Sequence, residues 1–342
     1  MLSAPEDYGL TPRQTLAHTV AEALPDRFAE YWREFREEIA VLSTYFQGSV
    51  DERVNRIVIP SLRSVRIIGR LELPDGPVRG AVIASHGYET PDDFECGEEL
   101  REPWTSRGLA TLRLRLRGFP PSTMEIDDLR DRWIVHNIES ARAWIARGAV
   151  ADLMQGYRCL RRHLGPDAPI SFHGESLGGG LAVIAAAQLG LLDEKDPPFR
   201  LALALPGFGD WRWRSTRYCN GPGGQVKLML DTLRGQDREE LLATLLLFDA
   251  ALQGRFVRCP VLCKSALRDD TVPAPTAAAV FNGLAGGQKW RFITPFGHYE
   301  GGLANARRHA VFERICQSFL DPSQKADEAA RLFAGELEPE TL

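Results

Sequence analysis

One stretch of the sequence indicates the fold of the chain: Pro169-Ile170-Ser171-Phe172-His173-Gly174-Glu175-Ser176-Leu177-Gly178-Gly179-Gly180. Apolar residues lead into it as a buried strand, and the apolar run 181–189 leaves it as a helix. Residues 174–178 match G-x-S-x-G, the nucleophile elbow that holds a serine on a tight turn between strand and helix. The pattern predicts Ser176 as a nucleophile. A glycine-rich turn without chemistry is the alternative, which only the rest of the chain can exclude.

The composition is that of a globular protein, with 342 residues, 44% hydrophobic and 25% charged. A net charge of -5 gives no reason to expect binding to nucleic acid or to an anionic membrane surface. The longest apolar run, 241–248, is far shorter than the roughly 20 residues of a transmembrane helix. Residues 1–10 lack the pattern of a secretory signal. We therefore expect a cytoplasmic protein with neither a nucleic-acid nor a membrane partner.

The cysteines are scattered and form no C-x-x-C pair, which argues against a zinc site and against a dense disulfide framework. We expect reduced thiols in the core and no metal or organic cofactor. The six positions are Cys96, Cys159, Cys219, Cys259, Cys263 and Cys316.

Strand and helix patterns alternate along most of the chain, which predicts an α/β fold with a doubly wound, mostly parallel sheet. An amphipathic helix over 26–42, capped by Asp26, precedes the sheet. Further helices are predicted over 126–146, 149–164 and 307–320, aromatic residues and two helical stretches occupy 207–249, and an acidic tail spans 328–342. Strands are predicted over 56–59, 65–73, 80–85, 109–116, 170–173, 201–205, 261–266 and 290–294.

Two aspartates and a histidine follow predicted strands downstream of the elbow. Asp269 and Asp270 follow strand 261–266, and His298 follows strand 290–294. A serine hydroxyl needs a histidine base and an acid that orients it, and in doubly wound hydrolases these occur in the order serine, acid, histidine. Ligands bind at the carboxyl ends of parallel strands, where all these residues fall. The pattern predicts a triad but leaves the choice of aspartate open.

Two backbone N–H groups are candidate donors to the oxyanion that forms during acyl transfer. One belongs to Leu177, directly after the serine, and the other to Tyr88, in the turn Ser85-His86-Gly87-Tyr88 after strand 80–85. The alternative is a simple turn in which His86 packs under the site.

Taken together, these residues resemble the acetyl xylan esterase and cephalosporin C deacetylase family of α/β-hydrolases. The resemblance rests on the amino-terminal helix, the turn at His86, the elbow, and Asp270-Thr271-Val272 followed by Phe296-Gly297-His298. It implies one α/β-hydrolase domain over 1–342, with an extension at 1–50 and insertions at 118–165 and 207–250. It also implies Asp270 as the orienting acid and a homo-oligomer.

The chain departs from this family at two positions near the elbow. Phe119 and Leu177 stand where the family usually has glutamine, so the surroundings of the site are less polar. Arg117, at a strand end, is expected to hold the loop or pair with an acid. The aromatic side chains Phe119, Trp211, Trp213 and Tyr218 are candidate pocket residues, with core packing as the alternative.

These observations predict a serine carboxylic ester hydrolase that removes a short acyl group, acetyl above all, from a small sugar-like or natural-product alcohol. Ser176, His298 and Asp270 form the predicted triad. A serine peptidase or C–C bond hydrolase on the same fold is one alternative, because a triad does not select the acyl group. A catalytically silent binding protein is the other.

Overall fold

The structure is a computed structural model that describes residues 7–88, 103–122, 129–194 and 196–331. Its centre is a sheet of eight strands, in the spatial order β1-β2-β4-β3-β5-β6-β7-β8. The strands are β1 (Val54–Pro60), β2 (Arg66–Glu72), β3 (Gly80–Ser85), β4 (Leu109–Leu114), β5 (Ile170–Glu175), β6 (Leu201–Ala204), β7 (Val261–Ala266) and β8 (Lys289–Thr294).

The sheet is antiparallel at one side and parallel over the rest. β2 pairs antiparallel with β1 and β4, whereas all the pairs from β4 through β3, β5, β6 and β7 to β8 are parallel. The carboxyl ends of β5, β7 and β8 therefore lie along the same edge of the sheet. This is the α/β class predicted from the sequence, and the eight predicted strands are all present within two residues at each end.

Helices cover both faces of the sheet. Ala81 and Ile83 of β3 belong to one apolar core and Val82 to the other, so β3 is buried on both sides. The helices are α1 (Pro12–Ala17), α2 (Phe28–Ala40), α3 (Ile145–Leu164), α4 (Leu177–Leu192), α5 (Trp211–Arg214), α6 (Gly223–Thr232), α7 (Gly235–Leu247), α8 (Ala250–Gln253), α9 (Ala274–Gly283), α10 (Gly302–Phe319) and α11 (Ala326–Arg331).

The amino-terminal helix forms as predicted, but its predicted cap is wrong. α2 begins at Phe28 with Arg27 at the N-cap position and no side-chain cap. Five of the six apolar side chains that predicted it are buried, namely Phe28, Tyr31, Trp32, Phe35 and Ile39.

The α-helix predicted over 126–146 is also wrong for residues 129–144. Residues Arg130–Val135 form a 3₁₀ helix, turns follow, and α3 begins only at Ile145. Two indoles hold the irregular path: Trp133 Nε1 donates to the Arg117 carbonyl at 2.7 Å, and Trp144 Nε1 to that of Ile134 at 2.8 Å. The apolar spacing reflects burial of this segment, which does not require a helix.

Arg117 pairs with an acid, as predicted. Its guanidinium forms a buried ion pair with Asp152 of α3, at 2.6 Å, and Nη2 also reaches Ser61 Oγ at 3.0 Å. The pair joins the carboxyl end of β4 to the crossover helix α3.

The described cysteines are buried free thiols: Cys159, Cys219, Cys259, Cys263 and Cys316. Cys96 lies outside the described residues. No helix in the described ranges has both the length and the apolar character needed to cross a membrane.

Candidate active site

Ser176 occupies a strained turn between β5 and α4. Its φ of 50° and ψ of -112° are rare for a residue with a side chain, and they are the backbone signature of a nucleophile elbow. Close packing makes the flanking glycines necessary. A Cβ on Gly174 would lie 2.6 Å from the Gly178 carbonyl oxygen, and a Cβ on Gly178 would lie 2.4 Å from that of Ser85. The backbone around Ser176 can close only with glycine at both positions.

His298 contacts Asp269, not Asp270. The ring Nδ1 lies 2.7 Å from Asp269 Oδ2, and both side chains are almost fully buried. Asp269 Oδ1 accepts the backbone N–H groups of Thr271 and Val272 at 3.0 and 2.9 Å, which fixes the carboxylate. Because Asp269 already occupies His298 Nδ1, the prediction that Asp270 orients the histidine is wrong.

Asp270 has other partners. Its Oδ2 accepts the Asn220 side-chain amide at 2.5 Å, and its carbonyl accepts the Asn220 N–H at 2.8 Å and the Tyr8 hydroxyl at 3.4 Å. Asp270 thus fastens residues from two distant parts of the chain to the loop that carries Asp269. Sequence reasoning missed Tyr8 and Asn220, because nothing local marks a residue whose partner is 50 or more positions away.

The environment of His298 favours its protonated form. Burial alone would lower the pKa of the imidazole, but the charge of Asp269 and its hydrogen bond more than offset this and raise the pKa above its ordinary value. With Asp269 at Nδ1, Nε2 is the ring nitrogen left for a proton from a nucleophile.

The two predicted oxyanion donors belong to segments that adjoin Ser176 in the chain or pack against it. Leu177 is the first residue of α4, so its N–H has no acceptor within the helix. The turn containing Tyr88 packs against the elbow, since a Cβ on Gly87 would lie 3.8 Å from Ser176 Cβ.

His86 supports this turn from below. Its Nδ1 donates to the Gly87 carbonyl at 2.7 Å, and its Nε2 accepts the Leu116 N–H at 3.2 Å. Burial lowers the pKa of His86 to about 4, so the ring is neutral and can play both roles at once. His86 packs against the turn in this way, and the Tyr88 N–H stays a predicted oxyanion donor.

The four aromatic pocket candidates differ in exposure. Trp211 is 1% exposed and packs between Trp144 and Phe208, so it belongs to the core. Phe119 is also buried and contacts the rings of His86 and Tyr88 edge to face. Trp213 is half-buried, with its ring 5.1 Å from that of Tyr8. Tyr218 is exposed.

The structure brings some predicted residues together and leaves others apart. His298 meets an aspartate, and the turn at Tyr88 meets the elbow. Ser176 lies on the same edge of the sheet as His298, but its hydroxyl makes no hydrogen bond with that ring or with any other described residue. Catalytic hydrogen bonds of this kind are often long without substrate.

A second polar cluster lies between the sheet and α10. The atoms of His173, Glu313 and Cys316 that could ligate a metal ion lie within 4.8 Å of one another. Glu313 already pairs with His173 at 3.3 Å, and Lys264 Nζ lies 3.2 Å from His309 Nδ1 beside it. Burial alone would raise the pKa of the Glu313 carboxyl, but His173, His309 and Lys264 all lower it, so the cluster is a polar network within the protein.

Comparison with known proteins gives the family of the chain. The family model for acetyl xylan esterase (AXE1) matches residues 13–315. The chain belongs to the acetyl xylan esterase family. The resemblance noted from the motifs is therefore confirmed, and as a member of the acetyl xylan esterase family the chain is a carboxylic ester hydrolase.

Solved structures support the fold of this acetyl xylan esterase family member. An acetyl xylan esterase from Paenibacillus sp. R4 is 20% identical and aligns over 89% of this chain and 99% of its own, with a TM-score of 0.71. Acetyl xylan esterase 1 from Thermoanaerobacterium sp. JW/SL YS485 is 17% identical and aligns over 89% of this chain and 98% of its own, with a TM-score of 0.70. An acylaminoacyl peptidase from Pyrococcus horikoshii is 14% identical and aligns over 82% of this chain and 42% of its own, with a TM-score of 0.53.

Proposed function

We propose that the chain is a serine acetylesterase whose triad is Ser176, His298 and Asp269. The contact of 2.7 Å between His298 and Asp269, at the edge of the sheet that also carries the strained Ser176, is the observation that supports this assignment best. A triad requires a base whose tautomer is fixed by a buried acid, and this pair meets that requirement.

In the proposed reaction, Ser176 Oγ attacks the acyl carbon while His298 Nε2 takes its proton. Asp269 stabilises the imidazolium that results, and the N–H groups of Leu177 and Tyr88 bind the oxyanion. His298 then returns the proton to the leaving alcohol. Water, activated by the same histidine, attacks the acyl-enzyme and releases the carboxylic acid. The reaction uses no metal or organic cofactor.

The proposed substrate is an acetyl ester of a small, sugar-like alcohol. Membership of the acetyl xylan esterase family supports an acetyl group. Phe119 and Leu177, buried apolar side chains where the family usually has glutamine, support an alcohol other than a plain sugar. The homo-oligomer and the cytoplasmic location stay predictions.

Replacing the proposed nucleophile is the direct test. For Ser176→Ala we expect kcat for p-nitrophenyl acetate to fall roughly 10⁴-fold or more, with an unchanged melting temperature, because the remaining groups cannot form the acyl-enzyme. Ser106→Ala, which removes an exposed hydroxyl, is the matched control. Turnover by Ser176→Ala at the wild-type rate would overturn the proposal, and faster cleavage of a peptide amide than of the ester would point to a peptidase.

A further inference from the structure

Arg214 is a buried cation that forms no ion pair with any residue that the structure describes. Its side chain is 6% exposed and stacks on the Trp211 ring, 4.6 Å from the centroid. Its one hydrogen bond to a described residue runs from Nη2 to the Cys219 sulfur at 3.9 Å. Nε is enclosed and has no hydrogen-bond acceptor. Nη1 also has no acceptor among the described residues, but it is not enclosed. A guanidinium cannot lose its proton in a protein, so the charge is permanent.

Three other buried arginines of the described chain have carboxylate or carbonyl partners, although Arg147 also encloses an Nε without an acceptor. Arg117 pairs with Asp152 at 2.6 Å, and Arg147 pairs with Glu38 at 2.7 Å. Arg200 has no close carboxylate, but its guanidinium donates to three backbone carbonyls. Buried charges are as a rule paired or fully hydrogen-bonded. Among the described residues, Arg214 therefore lacks the partner that a buried cation normally has.

The loop around Arg214 is fastened to the loop of the proposed acid. Gly223 closes over the guanidinium, since a Cβ there would lie 1.7 Å from Nη2. Two residues earlier, a Cβ on Gly221 would lie 2.3 Å from the Thr271 carbonyl oxygen. The preceding residue, Asn220, is bonded to Asp270 through backbone and side chain. Arg214 is thus held beside the segment that positions Asp269 and, through it, His298.

Tyr8 lies where the two loops meet. Its hydroxyl donates to the Asp270 carbonyl, and its ring packs on Trp213, one residue before Arg214. Burial raises the pKa of the phenol above its ordinary value, and of the nearby charges, Arg214 lowers it while Asp270 and Asp269 raise it. The guanidinium and the acid loop therefore act on the same phenol.

We propose that Arg214 binds a carboxylate on the ester substrate, next to the site of acyl transfer. A carboxylate that accepts a hydrogen bond from Nη1, the guanidinium nitrogen that is not enclosed, supplies the missing countercharge. This inference rests on the proposed esterase function and narrows its substrates to acetyl esters that carry an anionic group.

The test compares two esters that differ in charge but little in shape, 4-acetoxybenzoate and 4-acetoxybenzamide. The quantity measured is the ratio of their kcat/KM values in each enzyme, so differences in intrinsic reactivity cancel between enzymes. We expect the preference for the anionic ester to fall about tenfold or more in Arg214→Gln. Arg212→Gln, which removes an exposed cation from the same helix, should keep the wild-type ratio.

An equal ratio in wild type and Arg214→Gln would overturn the inference while leaving the esterase intact. If the wild type hydrolyses neither these esters nor p-nitrophenyl acetate, the proposed function itself fails, and the inference with it. Should Arg214→Gln not fold, inhibition of the wild type decides. At constant ionic strength, benzoate should compete with p-nitrophenyl acetate and benzamide should not, and equal inhibition by both would contradict the proposal.

Discussion

Two adjacent carboxylates do different work because their side chains leave the same loop in different directions. Asp269 is 1% exposed and divides its oxygens between the His298 ring and two backbone N–H groups. Asp270 is half-buried and binds Asn220. A motif aligned by residue type cannot separate such neighbours, because the choice depends on which side chain reaches a histidine 29 positions away.

We predict that Asp269→Asn and Asp270→Asn separate these roles. Asp269→Asn should lower kcat for p-nitrophenyl acetate by roughly 10⁴-fold, since the imidazole loses its fixed tautomer and the charge that stabilises the imidazolium. Asp270→Asn should lower kcat less than tenfold, which corresponds to a rise of at most about 1.4 kcal/mol in the activation free energy.

The pH dependence of kcat/KM gives an independent readout of the same pair. In the wild type, activity should rise as His298 loses its proton, with a midpoint above about 6.5, the ordinary pKa of histidine. In Asp269→Asn the residual activity should rise at lower pH, because the group that holds this pKa up is gone. A larger loss in Asp270→Asn than in Asp269→Asn would restore Asp270 as the orienting acid.

Single elements around the site are held in place by buried polar contacts. The ion pair between Arg117 and Asp152 joins the end of β4 to α3, and Ser61 binds both partners. The Arg117 carbonyl also accepts Trp133 Nε1, which draws the irregular segment before α3 towards the sheet. The sequence predicted that Arg117 would pair with an acid, but its partner lies 35 residues away and could not be identified from spacing.

We expect Arg117→Met to destabilise the fold by about 3–5 kcal/mol, because it leaves the Asp152 carboxylate buried without its countercharge. Urea unfolding measures this as a lower midpoint with an unchanged slope. Arg142→Met, which removes an exposed arginine near Glu34 and Glu38, should change stability by no more than about 1 kcal/mol. Equal effects of the two variants would show that Arg117 and Asp152 do not stabilise the core.

Over the whole molecule, the fold was predictable where apolar strands and helices alternate regularly along the chain, and it was not predictable where this alternation is interrupted. Strands buried on both faces are continuously apolar, so those of the parallel sheet stand out in the sequence. The segment before α3 misled because side-chain hydrogen bonds from Trp133 and Trp144 replace the helix that its spacing indicates. The amphipathic helix predicted before the sheet is present as α2, which packs against α3 and α4 over one face of the sheet.

Trp32 fixes α2 to the rest of the molecule. The side chain is fully buried, and its indole N–H donates to the Leu247 carbonyl at 3.1 Å. We expect Trp32→Ala to lower the free energy of unfolding by about 3–5 kcal/mol through the cavity it leaves, as measured by urea denaturation. Val41→Ala, at an 83% exposed position just after α2, should stay within about 0.5 kcal/mol. An equal loss in both variants would contradict this role for Trp32.

The buried cysteines have a consequence for the redox chemistry of the protein. Burial raises the pKa of Cys159, Cys259 and Cys263 to about 12, and that of Cys316 well above its ordinary value. Oxidants and disulfide exchange act on the thiolate, which these side chains do not form while they stay enclosed. The fold thus slows the oxidation of these four thiols, and we expect an oxidising medium to modify them more slowly than an exposed cysteine.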